Sequence, residues 1–231
     1  MGNRDRAPWR RTRDALATTA GAEAWSGGIH RTKHLYMYKG EPWRHPGRPV
    51  VHNPPPPDVD MRWLSAADWE ASPSLLPQPG GLIRERFAEG ARCLVIHRRD
   101  NAQLIYHLWM GTSGSWTDWI GARVVPPDGY ALVFDVWTHP DWRRGTLHIP
   151  GATAVARALD ELGLRGMVAG VEAHEVVPFA RMYARAGLGF MRPYEVVVWH
   201  RLGPLSWHRR VEPDPQLVER CAEIRRRYEE P

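Results

Sequence analysis

Cys93 and Cys221 are the only two cysteines among 231 residues. So few thiols build no disulfide framework, and a reducing compartment is the expectation. No apolar run approaches the roughly 20 residues that a membrane-spanning helix needs, so no membrane contact is expected. The N-terminus is basic but has no apolar stretch like that of a secretory signal, and "MGNRDR" has no Ser or Thr at the sixth position for N-myristoylation. A cytoplasmic protein is expected. Walker and Rossmann loops, HExxH and CxxC pairs and a Gly-x-Ser-x-Gly elbow are also missing, and "GTSGS" has the wrong spacing for the last. The histidines, among them His97, His107, His139, His148 and His174, are scattered, so no metal is expected.

What is present suits one substantial core: 43% of the residues are hydrophobic. Charge is unevenly placed. Residues 1–57 hold ten Lys and Arg against four Asp and Glu, a surplus of +6, while 21 bases face 22 acids in the remainder. Such an arm attracts polyanions such as RNA or a CoA phosphate, or serves as a solvated extension.

Composition divides the chain into three parts. Residues 1–57 form a basic, Pro-rich N-terminal extension that ends in "HNPPPP", a stiff spacer. Within it "HLYMYKG" reads as a strand or a segment docked on the main body. Residues 58–203 alternate strands and helices. "VDMRWL", "CLVIHR", "AQLIYHLWM", "YALVFDVWT", "GMVAGVE" and "FMRPYEVVVWHRL" are strand-like, the last closing the sheet. "SAADWEAS" with Ser65 as N-cap, "GLIRERFAEGA", a run from about Ala152 to Leu162, and "VVPFARMYARAG" are helix-like. In "YALVFDVWT", strict alternation sends Val133, Asp135 and Trp137 one way and Phe134, Val136 and Thr138 the other. Residues 204–231 are a C-terminal helical segment with Leu217, Cys221, Ile224 and Tyr228 on one face. The class is α/β, a mixed sheet flanked by helices.

Met61 to Leu202 resembles the GNAT superfamily of acyl-CoA-dependent N-acyltransferases. The resemblance rests on "VFDVWTHPDWRRG" before a helix and on "GMVAGVEAHEVVPFARMYARAGLGF" after it. Thr138-His139-Pro140 stands at the family's strand end, and Tyr183 with Gly189-Phe190 at its later Tyr and Gly-Phe features. The resemblance implies a mostly antiparallel central sheet and transfer of an acyl group, acetyl above all, from a CoA thioester to an amine of a small molecule or peptide. Where the family's donor loop keeps a glycine, this chain has Thr146 or Leu147, and its helix pattern starts about three residues late.

Physically, a helix N-terminus offers unpaired N–H groups and partial positive charge to a pyrophosphate. The resemblance puts the donor at Val136, Trp137 and Thr138 and along Arg143, Arg144, Gly145 and Thr146, with Gly151 and Ala152 supplying close approach. It makes Tyr183 the acid that protonates the leaving thiolate, with packing beside Phe179 as its other role. For the base, Asp135 in an apolar run competes with a structural-acceptor role, and Glu172 and His174 are rivals. His107 reads as a satisfied sheet histidine. Trp109, Trp116, Trp119 and Trp137 border the acceptor side or pack in the core. The divergent loop and basic arm also fit an aminoacyl-tRNA or a carrier-protein thioester as donor, or a GNAT-like module without catalysis. A homodimer is compatible with all three.

Overall fold

The computed structural model describes residues 31–41, 53–117, 122–143, 147–186, 188–202 and 205–229. Ten strands and five α-helices lie among them. The strands are β1 (Arg31–Glu41), β2 (Val59–Leu64), β3 (Arg92–Arg98), β4 (Leu104–Gly111), β5 (Ser115–Thr117), β6 (Ala122–Val124), β7 (Tyr130–Thr138), β8 (Gly166–Glu172), β9 (Phe190–Leu202) and β10 (Leu205–Val211). The helices are α1 (Ala66–Ala71), α2 (Gly80–Ala88), α3 (His148–Glu161), α4 (Val176–Arg185) and α5 (Pro215–Glu229).

Eight strands form one sheet in the order β10-β9-β1-β8-β7-β4-β3-β2, and β5 and β6 form a separate hairpin. Every neighbouring pair in the large sheet is antiparallel except β7 with β8, which α3 connects as a parallel crossover. The mixed, mostly antiparallel sheet flanked by helices, with a C-terminal helix, is thus the observed architecture.

Each face of the sheet buries its own cluster. Toward α3, α4 and α5, Leu94, Ile96, Tyr106, Leu108 and Val133 meet Val155, Leu159, Val177, Ala180, Cys221 and Ile224. Toward α1 and α2, Val95, Trp109, Leu132 and Phe134 meet Trp69 and Ile83. The strands between are therefore apolar on both sides, as "CLVIHR" and "GMVAGVE" read. The expected cap holds α1: Asp68 N–H donates to Ser65 Oγ at 3.1 Å, and Ser65 N–H to the Asp68 carboxylate at 3.0 Å. On α5, Cys221 and Ile224 are buried with Leu217 and Tyr228 packed alongside, the face expected.

Three expectations change. β1 lies inside the segment drawn as an extension, yet it pairs with β9 on one side and β8 on the other, so the sheet begins before residue 58. Residues 205–211, drawn within a helical tail, form β10; this strand, not β9, closes the sheet at that edge. Finally α3 starts at His148, four residues ahead of Ala152, so the connection from β7 is shorter than the sequence pattern suggested.

Candidate active site

The sheet is interrupted at one place. β7 and β8 pair through Tyr130↔Gly166, Ala131↔Met167 and Leu132↔Val168, and there the ladder ends. Beyond it β7 keeps pairing with β4 as far as Tyr106↔Thr138, and β8 with β1 as far as Leu35↔Glu172. The two strands therefore diverge, and between Phe134–Thr138 and Ala169–Glu172 a gap opens in mid-sheet. Backbone groups along a diverging strand have no ladder partner on that side, so they are available to a ligand.

Asp135 marks where β7 bends away. It has φ +48°, a left-handed conformation rare for a residue with a side chain, and β4 opposite shifts register between His107 and Trp109. The extra residue breaks the alternation expected of this strand. Val133 packs in the α3-side cluster, whereas Trp137 stacks on His107, ring centroids 5.6 Å apart, on the opposite face with Trp109. Asp135 is thus not on a common face with both. Its Oδ2 accepts from Arg86 Nη1 and from Gln78 Nε2, each at 2.7 Å. Arg86 is 2% exposed, and its guanidinium lies 5.1 Å from the Trp109 centroid and 5.0 Å from that of Phe134.

Gln78 also contacts His107 Nε2 at 2.9 Å and accepts from Trp109 Nε1 at 3.4 Å. His107 is satisfied on that nitrogen as expected, but its Nδ1 is buried without a partner. Burial pushes its pKa down to about 4, with Asp135 opposing the shift. Trp109 is fully buried, so it belongs to the core and borders no acceptor space. Trp116 is exposed on the small hairpin, and Trp119 lies outside the described residues.

α3, whose first turn packs on Tyr106 of β4 through His148 and Gly151, begins without a side-chain cap: Leu147 occupies the N-cap position. Its first N–H groups meet the requirement for an anion site in that respect. Arg143 is exposed, and its Nε donates to the Thr138 carbonyl at 3.2 Å, which ties the connection to the end of β7. Arg144, Gly145 and Thr146 lie outside the described residues. Val136 is exposed at the gap, and Thr138 is buried.

Gly151 and Ala152 do not fill the role expected of them. Both are buried inside α3, and the Gly151 N–H is used by the Leu147 carbonyl at 3.3 Å. A methyl group at Gly151 would lie 2.9 Å from the Tyr106 hydroxyl and about 3 Å from its ring, so the glycine serves helix-on-sheet packing.

Tyr183, from α4, joins Ala152, Val155, Met167 and Leu188 in a narrow apolar crevice between α3 and β8. Its hydroxyl donates to Met167 Sδ at 3.9 Å, a weak acceptor. The residue keeps partial exposure while the hydroxyl is enclosed, and burial pushes its pKa above the ordinary tyrosine range. Two neighbours escaped notice in the sequence. The Tyr106 hydroxyl, raised by burial and then by Tyr183, lies beside Gly151. His148, lowered by burial against a raising effect of Glu175, packs edge-on between Tyr106 and Phe179 at 5.5 and 5.9 Å. An aromatic spaced for a strand and a histidine in a loop-like run give no signal of such a meeting.

Glu172 and His174 stand where β8 ends, His174 Nδ1 being 3.6 Å from Glu172 Oε2, with both side chains largely open to solvent. They lie on the β8 side of the gap and Asp135 on the β7 side, so the three do not form one cluster. Among the described residues no group of three or more His, Cys, Asp or Glu comes together as a metal-ligand set. No helix among them is long and apolar enough to cross a membrane.

No protein-family model and no curated protein matches the chain. Solved structures do. A protein from Novosphingobium aromaticivorans described as a GNAT-family acetyltransferase shares 16% identity at a TM-score of 0.43, over 73% of this chain and 63% of its own. A GCN5-related N-acetyltransferase from Sphaerobacter thermophilus shares 14% at 0.47, over 88% and 57%. A tandem GNAT protein from the clavulanic acid biosynthesis pathway shares 15% at 0.45, over 87% and 59%. This chain spans about six tenths of the length of those proteins. At those scores, identities and overlaps the likeness says nothing of activity or substrate.

Proposed function

We propose that the chain is an N-acyltransferase that moves an acyl group, acetyl above all, from a CoA thioester to an amine of a small molecule or peptide. The observation that carries this reading is the mid-sheet gap between β7 and β8, at the end of β7 that leads toward the uncapped start of α3. In this proposal the donor's phosphates meet the α3 N-terminus, with Arg143 adding charge-assisted contacts. The thioester arm runs into the gap, where N–H groups of Val136, Trp137 and Thr138 polarise its carbonyl. The amine attacks the carbonyl carbon, the C–S bond breaks, and the departing thiolate takes the Tyr183 proton. The phenol is protonated at neutral pH, as the role requires, while burial, which pushes it above its ordinary range, makes it a weaker acid than a solvated tyrosine. The proton lost by the attacking nitrogen goes to Glu172 or His174, or through water between them.

Calorimetric titration with CoA and acetyl-CoA tests this, on the full chain and on a chain lacking residues 1–30. Deletion through residue 57 is unsuitable because it removes β1 from the sheet. Micromolar binding to both forms is the expected result. Absence of binding to either ligand by either form overturns the reading, and salt-dependent binding of tRNA or of an acylated carrier protein is then the next measurement.

A further inference from the structure

We propose that Gln78 and Arg86 form a latch that holds Asp135 in its left-handed bend, so that Asp135 is a positioning residue for the gap rather than its proton acceptor. Where it concerns CoA, this inference rests on the function proposed above; where it concerns the bend, it stands alone.

The local sequence tolerates the bend without dictating it. Phe134 and Val136 favour extended backbone, and Asp135 accepts φ +48° more readily than most residues with a Cβ but less readily than glycine. The conformation is therefore imposed from outside. Both donors to Asp135 Oδ2 come from distant chain, Gln78 57 residues away and Arg86 49 residues away. Arg86 is a fixed anchor, because its guanidinium is buried against Trp109 and Phe134 and Asp135 is the one acidic partner described for it.

Gln78 spans both strands at the irregularity. One N–H reaches Asp135 on β7 at 2.7 Å, the other reaches His107 on β4 at 2.9 Å, and its oxygen accepts from Trp109 at 3.4 Å. With every group of the amide engaged, His107 Nε2 must accept, which puts the ring proton on Nδ1. The two β4 residues bound by Gln78 are those between which the register shifts. One side chain thus ties both halves of the bulge, and β7 leaves β8 three residues before Asp135, after Leu132.

The test compares Gln78→Ala, Asp135→Ala, Asp135→Gly and the double variant Gln78→Ala/Asp135→Ala. Amide hydrogen exchange at 136–138 and CoA calorimetry are the two readouts. A latch predicts that Gln78→Ala speeds exchange at 136–138 and weakens CoA binding, each by about tenfold, the size of one hydrogen bond to a charged group. It predicts that the double variant is no worse than Asp135→Ala alone, because both remove the same unit. It also predicts that Asp135→Gly binds CoA more tightly than Asp135→Ala, since glycine takes the bend without help. A proton acceptor at Asp135 predicts the reverse pattern. The Gly and Ala variants then bind CoA equally well and as tightly as the parent, and Gln78→Ala leaves exchange unchanged. That pattern overturns the latch. If the parent protein binds no CoA, the proposed function fails, and the exchange measurements still decide whether the latch exists.

Discussion

Two pairs of neighbouring strands in the same sheet behave differently. β3 and β4 run side by side through six paired positions from Arg92↔Met110 to His97↔Leu104, staying joined across one register shift between Ile96 and His97, with nearly every residue buried. β7 and β8 share three and then part. The sequences look alike, short and apolar with β-branched residues, so apolar pattern does not distinguish a strand that stays in the sheet from one that leaves it. What sets β7 apart is a carboxylate with left-handed backbone inside the run. In β7, Asp135 is held from a different layer of the molecule, and the sheet opens beside it. The pair that stays joined adds stability; in the function proposed above, the pair that parts is where the chemistry takes place.

The largest expected effect comes from loosening the pair that stays joined. Ile96 is fully buried in β3 and faces the α3-side cluster. Ile96→Ala is expected to cost about 2–5 kcal/mol through lost burial and the cavity left behind, read as a shift of the urea midpoint. CoA binding by the surviving folded protein is expected to persist, because the gap is two strands away.

The next effect sits at the seam between the pairs. His107 has its folded pKa lowered from 6.5 to about 4 by burial. Between those values the unfolded chain holds a proton that the folded chain does not, so stability is intact above pH 6.5 and falls as the pH drops toward 4. The loss is on the order of 2–3 kcal/mol at about 1.4 kcal/mol per pH unit. His97 and His148 shift in the same direction, so His107→Gln is expected to flatten the slope without abolishing it. Denaturant midpoints collected from pH 7 down to about pH 4 check this; a slope identical to that of the parent removes His107 from the account.

Gly151 sharpens the comparison through its sign. Gly→Ala inside a helix ordinarily stabilises by up to about 1 kcal/mol. Here the added methyl would press on the Tyr106 hydroxyl at 2.9 Å, and Tyr106 is too deeply buried to give way. Gly151→Ala is therefore expected to destabilise by about 1–2 kcal/mol in thermal unfolding, and stabilisation would mean that α3 moves freely over β4.

These contrasts explain what was legible in the sequence. Elements with strong periodicity and local stop signals read correctly: the β3–β4 hairpin, capped α1, and the buried stripe of α5. The misses have physical causes. α3 begins with His148-Ile149-Pro150 behind Leu147, so no polar cap announces it. β10 reads "LSWHRRV", too charged to resemble a strand, as suits an exposed sheet edge. β1 was read in part, as "HLYMYKG", but the basic, Pro-rich stretch around it set it apart from the domain whose sheet it joins. At the site, Asp135 was visible as a carboxylate in an apolar run, and Tyr183 through its family-like context. Arg86 looked like one more charged residue on a surface helix, and nothing in spacing links it or Gln78 to a strand some fifty positions later. Contacts between layers carry no periodicity, so the latch became visible only in three dimensions.

The smallest expected change in stability belongs to Tyr183→Phe, and it separates structure from chemistry most cleanly. The hydroxyl's described partner is Met167 Sδ at 3.9 Å, too weak a contact to matter much to folding. The ring keeps its place in the crevice with Ala152 and Leu188, so a change within about 0.5 kcal/mol is expected. Acyl transfer is expected to fall by about 10²–10⁴-fold at saturating donor, the contribution of a positioned general acid, while CoA affinity holds. An equal loss of stability and rate would instead make Tyr183 a packing residue, and the thiolate's proton would have to come from solvent.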